Sequence, residues 1–260
     1  MNRTVIDLSS WNQDSKIDWR ILKENIDGVI IRVGYRGYSS SGTLITDKMF
    51  KIYADNCVKY EIPFGVYWYA QDITQTEAIL SAKYVIKLLK KYKLNYPVYY
   101  DVEYSGAPNN SGRADSLGKM MRTNCVIAFC EQIKSAGFES GVYASEEWFD
   151  EMLYFNKLKD YSIWCAKWNK DNGSIGEPPV IKSDIWQYTS KGSINGISKT
   201  VDVSLDKSAF ITSKQSIEIV ARDVITGKYG NGQKRKELLK KAGYNYEEVQ
   251  KKVNELLKKK

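Results

Sequence analysis

Short β-branched and aromatic runs return along the chain with amphipathic helical patterns between them. This alternation constrains the fold more than any other feature. Strand-like runs fall over 4–8, 28–34, 64–70, 97–102, 140–144, 162–167, 184–188 and 200–204. Helical patterns fall over 18–24, 46–59, 74–91, 116–136 and 146–155. Within 77–89, apolar residues repeat at i, i+3, i+4 and i+7, the stripe of a helix packed on one side. Strands separated by helices predict a parallel sheet with right-handed crossovers. The pattern then lapses. Residues 168–183 read as loop, with Gly173, Gly176, Pro178 and Pro179, and 189–199 is Gly/Ser-rich and too short for a crossover helix. Eight strands with five helices predict an α/β fold, an irregular TIM-like (β/α)5(β)3 barrel whose last third lacks helices. The working face of such a barrel lies at the C-terminal ends of its strands.

The 260 residues suffice for one large domain, read as 1–212, and a small one, 213–260. The small segment reads as three short helices, 217–226, 231–242 and 245–257, punctuated by Gly227, Gly230, Gly232 and Gly243. Charge divides the same way: 217–260 carries a net +6 of the total +8. That basic segment suits an anionic polymer, while a Lys-rich helix end is weaker ground for nucleic-acid binding. Histidine is absent, which excludes Ser-His-Asp and Cys-His catalysis and removes the imidazole that most zinc sites use. Cys57, Cys125, Cys130 and Cys165 lie in apolar contexts without metal-ligand spacing and read as reduced core thiols. No metal or cofactor is expected. No run of 18 apolar residues exists, so no membrane helix is expected, and the first residues run into strand one without the pattern of a signal peptide.

Asp101 and Glu103 close the aromatic run 96–100 and alternate onto one face of their strand, roughly 6–7 Å apart. Crowded carboxylates raise the proton affinity of one member, which yields an acid still protonated near neutral pH. The same pair could instead be a strand-end feature satisfied by backbone N–H groups or a lysine. Asp7 ends the run 4–7, and Asp202 sits in 200–204, near a strand start. Barrel closure can bring these chain-distant acids together. Arg32 could anchor them or form a structural ion pair. Tyr35, Tyr67, Tyr69, Trp168, Trp186 and Tyr188 gather at the same strand ends, where aromatic faces can stack on sugars or pack the rim.

Together, Asp7-Leu8-Ser9, Arg32-Val33-Gly34-Tyr35-Arg36-Gly37, the run 64–69, Asp101-Val102-Glu103, Trp186-Gln187-Tyr188 and Val201-Asp202-Val203 resemble glycoside hydrolase family 25, the N-acetylmuramidases of bacteria and phages. The resemblance covers about residues 3–211. It implies hydrolysis of the β-1,4 bond between N-acetylmuramic acid and N-acetylglucosamine in peptidoglycan, with retention. Glu103 would be the acid/base, with Asp101, Asp7 and Asp202 as catalytic partners and Arg32, Tyr67, Tyr69, Trp168, Trp186 and Gln187 contacting substrate. Attack by a protein carboxylate and attack by the substrate's own N-acetyl oxygen both fit, and Asp-x-Glu favours the second. The tail resembles one copy of a short wall-binding repeat of phage lysozymes, with Arg222, Tyr229, Asn231, Arg235 and Tyr244 as its binding residues. The implied partner is the peptidoglycan of Gram-positive bacteria, with no nucleic acid and no membrane, reached after release through a holin-type pore if the source is a phage. The residues leave oligomeric state open. The rival readings are a non-catalytic glycan-binding protein and an endo-N-acetylglucosaminidase.

Overall fold

The structure, a computed structural model, describes residues 3–208, 210, 217–241 and 244–258. It divides into two compact units, Met1–Phe210 and Ile211–Lys260. The first is an eight-stranded closed barrel. Its strands are β1 (Arg3–Leu8), β2 (Gly28–Arg36), β4 (Phe64–Tyr69), β5 (Val98–Asp101), β6 (Ser140–Ser145), β7 (Ser162–Ala166), β8 (Ile185–Gly192) and β9 (Val201–Asp206). Pairing runs β1-β9-β8-β7-β6-β5-β4-β2, and β1 pairs with β2 to close the ring. Every pair from β2 round to β8 is parallel, as is β1 with β2; β9 alone runs antiparallel to both its neighbours, β8 and β1.

The antiparallel β9 lies in the last third of the barrel, where the strand–helix alternation lapses, and it explains the position of Asp202. At the face where parallel strands end, an antiparallel strand begins. Asp202, near the start of β9, is therefore directly opposite Asp7 near the end of β1. Two further elements differ from the sequence reading. The helix expected over 46–59 begins only at Phe50, because β3 (Leu44–Thr46) pairs antiparallel with Gly34–Arg36 of β2. Three residues carry too little periodicity to announce such a strand. The helix expected over 146–155 is one π-helical turn, Trp148–Met152, followed by a 3-10 turn at Phe155–Lys157.

The remaining crossovers are α1 (Trp19–Lys23), α2 (Phe50–Tyr60), α3 (Gln75–Leu89) and α4 (Lys119–Ser135). Asp18 caps α1 and Thr74 caps α3 by accepting main-chain N–H bonds. Their apolar faces and the outward residues of the strands form one continuous core that includes Ile6, Leu8, Val29, Ile31, Val66, Trp68, Phe129 and Val203. Side chains of period two point the alternate residues into the lumen. There Trp164 packs edge-on against Tyr67, Tyr99 and Tyr143 from three strands and donates its indole N–H to Ser204 at 3.1 Å. Gly65 and Gly141 leave the space that Tyr96 and Tyr99 fill; a Cβ at either would collide with those side chains. Below them Asp206 accepts from Arg3 at 2.8 Å and from the Tyr96 hydroxyl at 3.0 Å. These side chains plug the base of the lumen. All four cysteines are buried free thiols, and burial pushes Cys125 and Cys165 up to about 12.

The second unit holds α5 (Ile217–Ile225), α6 (Gly232–Lys241) and α7 (Tyr246–Lys258) around Val220, Ala221, Val224, Leu239, Val249 and Val253. Gly243 lies outside the described residues. Among the described residues no helix is long and apolar enough to cross a membrane.

Candidate active site

A cleft of about 890 Å³ opens at the mouth of the barrel, lined among others by Asp7, Arg32, Tyr67, Tyr69, Asp101, Glu103 and Asp202. The end of β1 supplies Asp7, β2 supplies Arg32, β4 the two tyrosines, β5 Asp101 and the start of β9 Asp202. Glu103 follows two residues after Asp101, on the loop leaving β5.

The electrostatics are those of acids held where water is scarce. Burial, then Glu103 and Asp7, push Asp101 well above the carboxylate range, with Arg32 pulling it back. Asp101 Oδ1 is buried and has no hydrogen-bond partner. Burial and the neighbouring Asp202 also raise Asp7, while the bond from Gln187 lowers it. Asp202 is pushed up to about 6 by burial and then Asp171. Glu103 is reached by solvent from the cleft, yet its carboxyl is set deep among protein groups. That desolvation, reinforced by Asp202, lifts it to about 7 against the opposing pull of Arg32. Burial holds Tyr67, Tyr69 and Tyr143 far above their ordinary values, so they stay neutral phenols. The Tyr69 hydroxyl donates to the Tyr104 carbonyl at 3.0 Å.

Arg32 is committed to structure as well as to charge. It donates to Asp47 at 2.7 Å and to the Ser10 hydroxyl at 2.8 Å. Asp47 also accepts from the Ser10 N–H at 3.0 Å, fixing the loop after β1.

Gln187 is 2 % exposed and sits beneath the acids, not in contact with solvent. Its Oε1 accepts from the Tyr143 hydroxyl at 2.9 Å and from the Trp168 indole at 3.1 Å. Those two donors fix which end of the amide is oxygen, so Nε2 faces Asp7 at 2.8 Å and Asp202 at 3.4 Å. The expectation that Gln187 contacts substrate is therefore corrected: it holds the acids. Trp186 is corrected too. It alternates to the outer face of β8, is 2 % exposed, stacks edge-on with Tyr188 and donates to the Lys167 carbonyl. Trp168 is half-exposed beside Gln187 and is not among the residues that line the cleft. Among the described residues no cluster of three His, Cys, Asp or Glu side chains is arranged to hold a metal ion.

The cleft also contains Trp11, Tyr38, Lys48 and Tyr104, which sequence reasoning missed. Trp11 could have been found: it follows Asp7 by four residues, in the first loop of the working face.

In the second unit, Arg235 donates to the Gly230 carbonyl at 3.0 Å, to Asn231 at 2.9 Å and to Gln250 at 3.3 Å, tying the turn before α6 to α7. Tyr229 and Tyr244 pack half-buried on the apolar cluster, and Arg222 lies exposed on α5.

Comparison with known proteins agrees with this architecture. Residues 6–197 match the model of glycosyl hydrolases family 25, and residues 218–257 match the CW_7 repeat. The chain is 26% identical over 244 residues to the lysozyme of Streptococcus phage Cp-7, covering 85% of this chain and 68% of that one. The modular autolysin LytC from Streptococcus pneumoniae, solved also with a synthetic peptidoglycan ligand, superposes with a TM-score of 0.66 at 30% identity over 78% of this chain. This chain spans 46% of that autolysin's length. The catalytic domain of endolysin ply40 from bacteriophage P40 of Listeria monocytogenes gives a TM-score of 0.66 at 26% identity, covering 81% of this chain and 95% of that one. The family match spans most of the barrel and includes three of the four acids at its mouth, and on that ground the chain belongs to glycosyl hydrolase family 25.

Proposed function

We propose that the protein is a retaining N-acetylmuramidase that cleaves the β-1,4 bond between N-acetylmuramic acid and N-acetylglucosamine in Gram-positive peptidoglycan. The observation that carries this reading is the convergence of Asp7, Asp101, Glu103 and Asp202 at one mouth, with Glu103 at about 7. A carboxyl at that value is protonated in about half the molecules at neutral pH and can serve both as acid and as base.

In the first step Glu103 gives its proton to the glycosidic oxygen as the C1–O bond breaks. The substrate's N-acetyl oxygen attacks C1, forming an oxazolinium, and Asp101 accepts from the amide N–H. The buried, partnerless Oδ1 of Asp101 supports this substrate-assisted route, since an incoming N–H would satisfy it. In the second step a water attacks C1 as the C1–O bond of the oxazolinium breaks, regenerating the N-acetyl group, and passes a proton to the Glu103 carboxylate, which restores the enzyme and gives a product with the original anomeric configuration. Asp7 and Asp202, held by Gln187, stabilise the positive charge that develops on the sugar ring. Tyr67, Tyr69 and Trp168 supply aromatic and hydroxyl contacts to the glycan.

The residues 213–260 unit is read as a wall-binding module that uses basic charge toward an anionic polymer, in keeping with its CW_7 match. The internal bonds of Arg235 and Asn231 make them supports of its fold; Arg222, Tyr229 and Tyr244 are binding candidates on the strength of the repeat match alone. Nucleic acid and membrane are not partners in this reading, and the enzyme reaches the wall after release from a host cell.

The test is turbidity loss and reducing-end analysis on purified Gram-positive peptidoglycan, wild type beside Glu103→Gln. Clearing by wild type alone, with new muramic acid ends, supports the reading. New glucosamine ends indicate an endo-N-acetylglucosaminidase, and pelleting with walls without clearing indicates a glycan-binding protein.

A further inference from the structure

The cleft has a second chemical character away from its acids. The 3-10 turn Ser10–Asn12 after β1 is closed by a reciprocal cap: Ser9 accepts from the Trp11 N–H at 3.2 Å, and Asn12 accepts from the Ser9 N–H at 2.9 Å. This fixed turn presents Trp11 86% exposed, although indole is among the costliest side chains to leave in water. Asp47 ties that turn to the end of the β2–β3 hairpin, since it accepts from Ser10 N–H and Arg32 and its own N–H bonds the Val33 carbonyl at 3.1 Å. The next residue, Lys48, is exposed and lines the same cleft. Among the described residues the cleft is lined by two cations. Arg32 is bound to Asp47 and Ser10, whereas Lys48 has no carboxylate partner among the described residues.

We infer that Trp11 and Lys48, locked together through Asp47, form a subsite that stacks on a sugar face and pairs with a carboxylate carried on that sugar's branch. The inference rests on the muramidase reading for the identity of the glycan. The physical need is plain. The ionised members of the acid cluster repel an anionic glycan, and one unpaired ammonium on the cleft wall offsets that repulsion and fixes register. A flat exposed indole provides the apolar platform, and the cap keeps it from collapsing onto the protein. In this glycan the carboxylate has two sources: the acidic residues of the peptide stem, or the lactyl group of the muramic residue when the stem is absent.

Three preparations of one sacculus decide the matter: native, stripped of stems by an amidase, and native with its carboxylates converted to amides by carbodiimide and ammonia. The full-length wild type is compared with Lys48→Ala, Lys48→Glu and Lys48→Arg by kcat/KM from released reducing ends. The readout is the ratio of kcat/KM on native over amidated glycan. Lys48→Glu should lower that ratio about tenfold and Lys48→Ala about three- to fivefold, with Lys48→Arg near wild type. The deficit should shrink at about 0.5 M salt through screening. Sensitivity kept on stripped glycan shows that the lactyl carboxylate freed there can take the stem's place, and sensitivity lost there assigns the stem alone. Trp11→Ala should raise KM on all three. A ratio unmoved by Lys48→Glu overturns the inference, because a merely structural lysine would lower both rates alike. If wild type releases no ends from any preparation, the muramidase reading fails. Binding of a soluble muropeptide to full-length Glu103→Gln with and without Lys48→Glu then decides the subsite, with tenfold weaker binding supporting it and equal binding overturning it.

Discussion

Tyr100 and Asp101 are neighbours on β5, yet they belong to two buried polar clusters built on opposite principles. Tyr100 points outward and donates to Asp72 at 2.8 Å; Asp72 also takes bonds from Arg36 at 2.5 Å and from Ser81 at 2.7 Å. Arg36 spends its other donors on the Gly42 and Glu77 carbonyls. Burial raises Asp72, but a cation and two hydroxyls pull it back. Asp101 points inward, to a mouth where like charges crowd and one of its oxygens has no partner. The first cluster has opposite charges and satisfied atoms; the second has crowded acids and one unsatisfied oxygen. Of these two clusters, the compensated one braces the scaffold and the crowded one lines the cleft.

The comparison can be broken most forcefully on the scaffold side. Arg36→Leu leaves Asp72 buried without its cation and should cost about 3–5 kcal/mol in denaturant unfolding. Arg36→Leu with Asp72→Leu should cost much less, and equal losses would show that the pair is not the unit.

On the chemical side, Gln187→Met keeps volume and removes the clamp on Asp7 and Asp202. It should lower kcat by about 10- to 100-fold, roughly the cost of losing one charge-assisted hydrogen bond. Asp7 is faced by Asp202, Glu103, Asp101, Tyr67 and Tyr143, so loss of the Gln187 bond raises its pKa. If ionised Asp7 is needed, the acidic limb of kcat/KM moves to higher pH; a stable variant with an unmoved limb would reduce Gln187 to packing.

The acid cluster should also oppose stability in a defined pH window. The folded values of Asp202 and Glu103, about 6 and about 7, lie above the ordinary carboxyl range near 4. The folded state therefore binds more protons than the unfolded one between those limits. The contribution of these groups is most favourable below about pH 4 and is lost as pH rises through 6 and 7. Asp202→Asn should raise stability by about 1–2 kcal/mol at pH 8, a Tm gain of a few degrees, and by nothing near pH 4. Calorimetry at the two pH values checks it.

Much of the barrel was legible because strand and helix periods differ and the crossovers are long enough to display them. The acids at 101 and 103 were legible because period two places them on one face. What escaped depended on pairing across the chain. The direction of β9, and hence why Asp202 stands near a strand start, is set by partners about 200 residues away in sequence. Trp186 and Gln187 are adjacent letters, and only the barrel decides that one faces the acids and the other the outside. Lys48 was hidden inside the helix expected over 46–59, which begins only at Phe50.

The central claim is that Glu103, on the loop leaving the parallel strand β5, and Asp202 of the antiparallel strand β9 titrate as one site. The most direct measurement is the pH profile of kcat/KM for wild type beside Asp202→Asn. Asp202 helps hold the Glu103 proton, so its neutralisation should move the basic limb from near pH 7 to lower pH. A basic limb that stays in place while the rate falls would contradict the claim and separate the two acids.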